Sequence, residues 1–83
     1  MNWKVIWKPD AERRLTSIWL ADRSRQRVTD AAREIDATLE SDPLNAGESR
    51  SGNDRIIFSE PLAVLVELLP LEHEVHVLAV WRY

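Results

Sequence analysis

The alternation of apolar and polar residues divides the chain into strand-like and helix-like segments. The first segment, Asn2–Trp7, has the two-residue period of a β-strand, and Pro9 ends it. The apolar side of this strand carries Trp3, Val5 and Trp7. Because large aromatic side chains are mostly packed in cores, we expect this side to face the helices that follow.

Two amphipathic helices are predicted next. The first spans Asp10–Ala21, and the acidic residues of its first turn complement the positive end of a helix. Its apolar stripe consists of Ala11, Leu15, Ile18 and Trp19. The second begins at Ser24 or Arg25 and ends at Glu40. Its stripe consists of Val28, Ala31, Ala32, Ile35 and Leu39. The short break between them favours an antiparallel helical hairpin.

A long polar loop, Ser41–Asp54, separates the helices from three further strands. These strands are predicted at Arg55–Ser59, Ala63–Leu69 and Val75–Arg82. The middle strand is apolar on both sides, which is typical of a central strand. One of its sides consists of Leu62, Val64, Val66 and Leu68. In the last strand, the simple alternation groups Val75, Val77, Ala79 and Trp81 on one side.

The order of these elements is β-α-α-β-β-β, which predicts a single α+β domain over residues 1–83. We expect an antiparallel sheet packed by the helical hairpin on one face, with the other face partly open. The length of 83 residues and the hydrophobic content of 45% fit one small globular domain.

Charge and composition narrow the function classes. The net charge is −3, and residues 42–83 carry three arginines against seven acidic residues. Such a chain lacks the long-range attraction that drives non-specific binding to nucleic acid. The sequence has no cysteine and no apolar run of membrane-spanning length, so we expect a soluble, cytoplasmic protein that makes no membrane contact.

Few residues suggest chemistry directly. His73 and His76 have the spacing HxxH, but a zinc site needs further ligands, so we expect no metal and no cofactor. Glu67 lies in an apolar strand, either as an acid–base group or as the partner of an arginine. Arg23, Arg25 and Arg27 form the one basic cluster of the sequence, for which a solvated turn is the simplest interpretation.

The whole pattern resembles the RelE/ParE superfamily of bacterial type II toxins. The resemblance is carried by the opening VIWKPDAERRLTSIW, by the end of the second helix in LESDP, by an arginine in the loop and another at the start of the next strand, and by the ending VHVLAVWRY. It covers nearly the whole chain. It implies a toxin that a cognate antitoxin neutralises, acting either on mRNA in the ribosome or on DNA gyrase.

In the ribonuclease branch, the resemblance implies a metal-independent endoribonuclease in which basic residues stabilise the phosphate and a nearby group moves a proton. Carried over to this chain, Arg55, Arg82 and Tyr83 become the candidate catalytic residues and Arg50 a candidate RNA-binding residue. The alternatives are a gyrase-inhibiting toxin and a catalytically silent member that acts as a protein-interaction module. The acidic charge and the missing basic residues favour the silent member, whereas the match in topology over the full length favours the toxin. The oligomeric state stays open.

Overall fold

Two helices and a five-stranded sheet make up the chain in the computed structural model, which describes residues 2–83. The elements are β1 (Lys4–Trp7), α1 (Pro9–Ala21), α2 (Arg25–Ser41), β2 (Glu48–Ser49), β3 (Asp54–Ser59), β4 (Leu62–Leu69) and β5 (Glu74–Arg82). The predicted fold class is confirmed, and the predicted bounds differ from these by one or two residues. The one element that the sequence pattern did not predict as a strand is β2, which has two residues and lies inside the predicted loop. It follows a short 3₁₀ turn at Pro43–Asn45.

The strands lie in the order β1-β5-β4-β3-β2. Neighbours from β5 to β2 are antiparallel, as expected, whereas β1 runs parallel to β5, so the sheet is mixed. Alternation along a strand is the same in parallel and antiparallel pairs, and it therefore carries no information about strand direction. The direction of β1 relative to β5 depends on the connections, which pass through both helices.

Both helices cover the same face of the sheet, and the hydrophobic core lies between the helices and this face. The helices contribute Ala11 and Ile18 from α1 and Val28, Ala31, Ile35 and Leu39 from α2, all buried. From β4, the predicted apolar side is almost completely excluded from solvent: Leu62, Val64 and Val66 are 0% exposed and Leu68 is 2% exposed. Trp3 is buried as expected, and Val5 and Trp7 pack against the same core. We call the other face of the sheet the open face.

A β-bulge changes which residues of β5 face the helices. Leu65 pairs with Ala79 and Val66 with Val77, so Leu78 is an extra residue without a partner in β4. Beyond this point the alternation predicted for β5 is wrong. The last two residues predicted to share a side with Val77 face away from it.

The buried residues of β5 are accordingly Val75, Val77 and Val80. Ala79 and Trp81 are moved to the open face, and Arg82 is moved to the helix-covered face. The physical reason is that one inserted residue shifts the two-residue period by one, which exchanges the two sides of the strand.

Within residues 2–83, neither helix is both long and apolar enough to cross a lipid bilayer.

Candidate functional site

Arg55 lies on the helix-covered face of β3 and holds the preceding loop against the sheet. Its register partner is Val66, a fully buried residue of β4. The Nη1 atom of Arg55 donates a hydrogen bond to the carbonyl oxygen of Ala46 at 3.3 Å. The guanidinium group is therefore engaged in closing the loop, which is a structural role.

Arg82 ties the end of β5 to the turn between the helices. Its Nε atom donates to the carboxylate of Asp22 at 2.6 Å, and the Asp22 side chain is only 6% exposed. The same carboxylate accepts a hydrogen bond from the backbone N–H of Ser24 at 2.7 Å. These two bonds, that from Arg82 first, lower the pKa of Asp22 below its ordinary value because both stabilise the ionised form.

Arg50 and Tyr83 lie on the opposite side of the sheet, at its two ends. The backbone N–H of Arg50 bonds to Asp54, and its guanidinium lies 3.5 Å from the carboxylate of Glu48. Tyr83 packs edge-on against Phe58, with ring centroids 5.5 Å apart. Both side chains are largely exposed to solvent.

The four residues predicted as a catalytic or RNA-binding set do not converge. Arg55 and Arg82 share a face, but their register partners in β4 are four residues apart, which corresponds to about 13 Å along the strand. Arg50 bonds to Asp54, the partner of Glu67, and Tyr83 bonds to Pro61. Glu67 and Pro61 are six residues apart, which corresponds to about 20 Å along the strand. Within residues 2–83, no hydrogen bond or ion pair joins any two of these four side chains.

A groove beside Arg82 is lined by three arginines. It has a volume of about 450 Å³ and is lined by Arg14, Ser17, Ile18, Ala21, Asp22, Arg23 and Arg82. Three guanidinium groups and one carboxylate give this groove a net charge of about +2. In this groove Arg82 lies near two further arginines, and the excess of positive charge suits an anionic group.

Sequence reasoning missed Arg14 and Asp22 as members of this groove. A usable signal was the spacing of Asp22 and Ser24, because an aspartate whose carboxylate bonds to the backbone two residues later is typical of turns. The other two arginines of the predicted basic cluster lie elsewhere. Arg25 stacks on Trp19 at 4.8 Å, and Arg27 pairs with Glu60 at 3.0 Å.

One half of the open face is aromatic and apolar. Trp81, Ala63 and Phe58 are neighbours across three adjacent strands. Ala63 is fully buried, whereas Phe58 is 46% exposed and Tyr83 is 52% exposed. The next row of the sheet adds Ala79, Leu65 and Ile56, which are half-buried. We call this group the aromatic half of the open face.

The other half of the open face is acidic. Asp54 and Glu67 are direct register partners on neighbouring strands, and both are half-buried. The carboxylate of Glu74 accepts a hydrogen bond from Nε2 of His76 at 3.1 Å, and His76 is the register partner of Glu67. We call Glu48, Asp54, Glu67 and Glu74 the acidic half of the open face.

The two histidines do not form a metal site with their neighbours. His73 stacks on Trp3 with ring centroids 4.3 Å apart, while His76 lies in the sheet. Among residues 2–83, no group of three or more histidine, cysteine, aspartate or glutamate side chains is arranged to hold a metal ion.

A hollow also lies between the outer surfaces of the two helices. It has a volume of about 300 Å³, and its lining includes Leu15, Trp19, Val28 and Ala32. The indole N–H of Trp19 donates to the hydroxyl of Thr29 across it at 3.1 Å. This hydrogen bond fixes the indole at the rim of the hollow and helps to join the two helices.

Comparison with known proteins gives a likeness in structure and none in sequence. No family profile matches the sequence, and no curated protein sequence matches it. The toxin–antitoxin complex RelBE2 of Mycobacterium tuberculosis contains a similar chain, with a TM-score of 0.79 and 16% identity over 100% of this chain and 93% of that one. The chromosomal ParDE system of P. aeruginosa gives a TM-score of 0.74 and 17% identity over 96% and 95% of the two chains.

A third similar structure is the toxin RelE of E. coli, determined as a mutant in the free state. Its TM-score is 0.71, with 15% identity over 99% of this chain and 84% of that one. In all three cases the likeness covers at least 96% of this chain, so it includes both the helices and the sheet. The chain therefore has the α+β fold of the RelE and ParE toxins.

Proposed function

We propose that this chain is the toxin component of a type II toxin–antitoxin system and that a cognate antitoxin holds it inactive. The observation that carries the proposal is the full-length likeness to RelE and ParE toxin structures. The partly open apolar sheet face supports the antitoxin part of the proposal, because exposed apolar surface of this kind is typical of protein interaction sites.

The geometry favours a toxin that acts by binding a protein, as a gyrase inhibitor does, over one that cleaves RNA. Phosphodiester cleavage needs positive charge and a proton-transfer group within hydrogen-bond reach of one phosphate. Arg55 and Arg82 are instead engaged by Ala46 and Asp22, and Tyr83 lies on the other face.

A ribosome-dependent endoribonuclease is the second candidate, and the arginine groove is the observation that favours it. Arg14, Arg23 and Arg82 together offer three guanidinium groups, which match phosphate oxygens in planar, bidentate pairs. In this candidate the RNA backbone lies in the groove and Arg82 contacts the phosphate. Arg50, Arg55 and Tyr83 stay proposed contacts to RNA in the same candidate.

Growth of a bacterial host tests the toxin proposal directly. Induced expression of the chain alone is expected to arrest growth. Co-expression with the product of the neighbouring reading frame is expected to restore growth if that product is the antitoxin. Soluble, folded protein without arrest would contradict the toxin proposal in that host and would favour the silent interaction module.

The target is decided by two reactions run with the same protein preparation. Gyrase supercoiling is expected to be inhibited while mRNA in a translating extract stays intact. Cleavage of mRNA with unaffected supercoiling would instead establish the second candidate.

Two neighbouring arginines on α1 provide a matched pair of variants for the groove. Arg14 lines the groove, whereas Arg13 is exposed outside it and pairs with Asp10. For a ribonuclease, Arg14→Ala is expected to reduce cleavage by roughly 10-fold or more, and Arg13→Ala to leave it unchanged. Equal effects of the two substitutions would show that the groove does not bind RNA. Neither substitution removes the bond between Arg82 and Asp22.

A further inference from the structure

The open face of the sheet carries an unbalanced electric charge beside an exposed aromatic surface. We propose that it is the docking surface for an amphipathic helix that presents apolar side chains to the aromatic half and lysine or arginine to the acidic half. This inference rests on the proposed function, since it specifies the chemistry of the antitoxin segment. It requires that segment to be basic where it crosses the acidic half.

The aromatic half of the open face leaves large side chains exposed. Phe58 and Tyr83 leave about half of their surfaces in water, at 46% and 52%, although they already pack against each other. Trp81 lies on the same face, in one row with Ala63 and Phe58. Large aromatic side chains that are only half covered provide anchors for a partner, and burying them fully contributes most of the energy in such contacts.

The acidic half of the open face places Asp54 opposite Glu67 on neighbouring strands. Directly opposed residues in an antiparallel pair have their Cβ atoms about 5 Å apart, and like charges in such positions destabilise the sheet. Within residues 2–83, neither carboxylate forms a side-chain hydrogen bond or an ion pair. A guanidinium or ammonium group placed between them would remove this repulsion.

The remaining acidic residues of the open face each have a polar side-chain partner. Glu48 lies 3.5 Å from the guanidinium of Arg50, and Glu74 bonds to His76 at 3.1 Å and is the register partner of Lys4. Four acidic residues against Lys4 and Arg50 leave two negative charges on the face when His76 is neutral. Within residues 2–83, Asp54 and Glu67 are the acidic residues of the open face without a side-chain partner, so the unpaired charge is concentrated at this pair.

The same charges exclude other occupants. Phosphates of a nucleic acid would be repelled, because their binding depends on neutralisation by lysine and arginine. A second copy of the chain, docking by the same face, would add the same negative surplus and no basic group to offset it. A basic polypeptide segment is the occupant whose charge is complementary.

The segment is helical because the open face offers side chains only. The backbone N–H and C=O groups of β4 and β5 are used in the sheet, so a segment lying on this face must satisfy its own backbone groups, as a helix does. The row of Glu67 and the row of Ala63 are four residues apart in β4, about 13 Å. On a helix with a rise of 1.5 Å per residue, the basic residue therefore lies about nine residues from the apolar anchor.

Two synthetic helical peptides of about 18 residues provide the probe. They share one apolar stripe and differ only in carrying lysine or glutamate about nine residues from the anchor. We expect the lysine peptide to bind at least about 10-fold more tightly at about 50 mM salt, with the advantage reduced at about 500 mM salt. Amide shifts in an NMR spectrum are expected at Ile56, Leu65 and Trp81.

Charge-neutral variants test the role of the opposed pair. Asp54→Asn with Glu67→Gln is expected to abolish the preference for the lysine peptide and, at the same time, to raise the melting temperature of the free protein. Asp30→Asn with Glu72→Gln removes the same two charges from exposed positions outside the open face and is expected to change neither. The opposite signs of the effects on binding and stability separate a docking role from simple damage to the fold.

Several results would overturn the inference. Equal binding of the two peptides, a preference for the glutamate peptide, or shifts that map to the hollow between the helices would each do so. These outcomes do not depend on toxicity, since growth arrest is measured with the chain alone. The inference and the proposed function can therefore fail separately.

Discussion

Substituting the two glycines by alanine isolates a close approach in the loop that carries Arg50. Gly47 and Gly52 both have positive φ, at 61° and 59°. Their surroundings differ, because a Cβ atom at Gly47 would overlap the carbonyl oxygen of Ile56 and lie 2.7 Å from Cγ1 of Ile57. At Gly52 a Cβ atom would have no neighbour within 4 Å.

Both substitutions place an alanine in a left-handed backbone conformation, and only the one at Gly47 also creates a steric clash. Left-handed backbone costs an alanine about 1 kcal/mol, part of which is offset by the reduced entropy of the unfolded chain. Gly52→Ala is therefore expected to lower the free energy of unfolding by at most about 1 kcal/mol. Gly47→Ala must also push β3 away from the loop, which adds about 1–3 kcal/mol.

The difference is large for a chain of this size. A domain of 83 residues has a total stability on the order of 4–12 kcal/mol. Urea unfolding followed by tryptophan fluorescence measures it, and the melting temperatures of the two variants are expected to differ by roughly 5–20 °C. A difference below about 0.5 kcal/mol between them would refute the reasoning, because the close approach would then carry no steric cost.

Three further predictions concern the buried contacts. Asp22→Asn is expected to lower the melting temperature at pH 7. The difference from the unchanged chain is expected to shrink below about pH 3.8 and to vanish as the pH falls through the lowered pKa of Asp22, because a depressed pKa stabilises the fold only while the carboxylate is ionised. Leu39→Ala, at a residue 0% exposed, is expected to cost about 2–5 kcal/mol in urea unfolding, and Leu44→Ala, at a residue 49% exposed, less than about 0.5 kcal/mol. Trp7→Phe removes the 2.7 Å bond from the indole N–H to Asp36 and is expected to cost about 1–2 kcal/mol by thermal unfolding; no loss would show that water replaces this bond.

The helices and strands could be predicted because their periods are local. The stripe of α2 is buried as expected, and so is the apolar side of β4. Apolar residues spaced three to four positions apart lie on one side of a helix, and those spaced two apart lie on one side of a strand. The spacing therefore indicates which element can bury them together. The family resemblance then supplied the arrangement of these elements, and the likeness to solved toxin structures agrees with it.

The candidate site could not be predicted to the same degree because it depends on register. The extra residue Leu78 exchanges the sides of β5, and this brings Arg82 to Asp22 while turning Trp81 to the open face. A bulge leaves no mark in the apolar pattern of so uniform a strand. The contact between Arg82 and Asp22 joins residues sixty positions apart, which no local spacing can indicate.

The sequence by itself therefore determined the elements, their order and the side of β4 that is buried, since these follow from periodicity and side-chain size. Only the tertiary structure decided that β1 is parallel to β5, that Arg55 and Arg82 are held in internal contacts, and that Asp54 opposes Glu67 on the open face. Pairing between strands fixes each of these, and pairing depends on the relative position of segments that are distant in the chain.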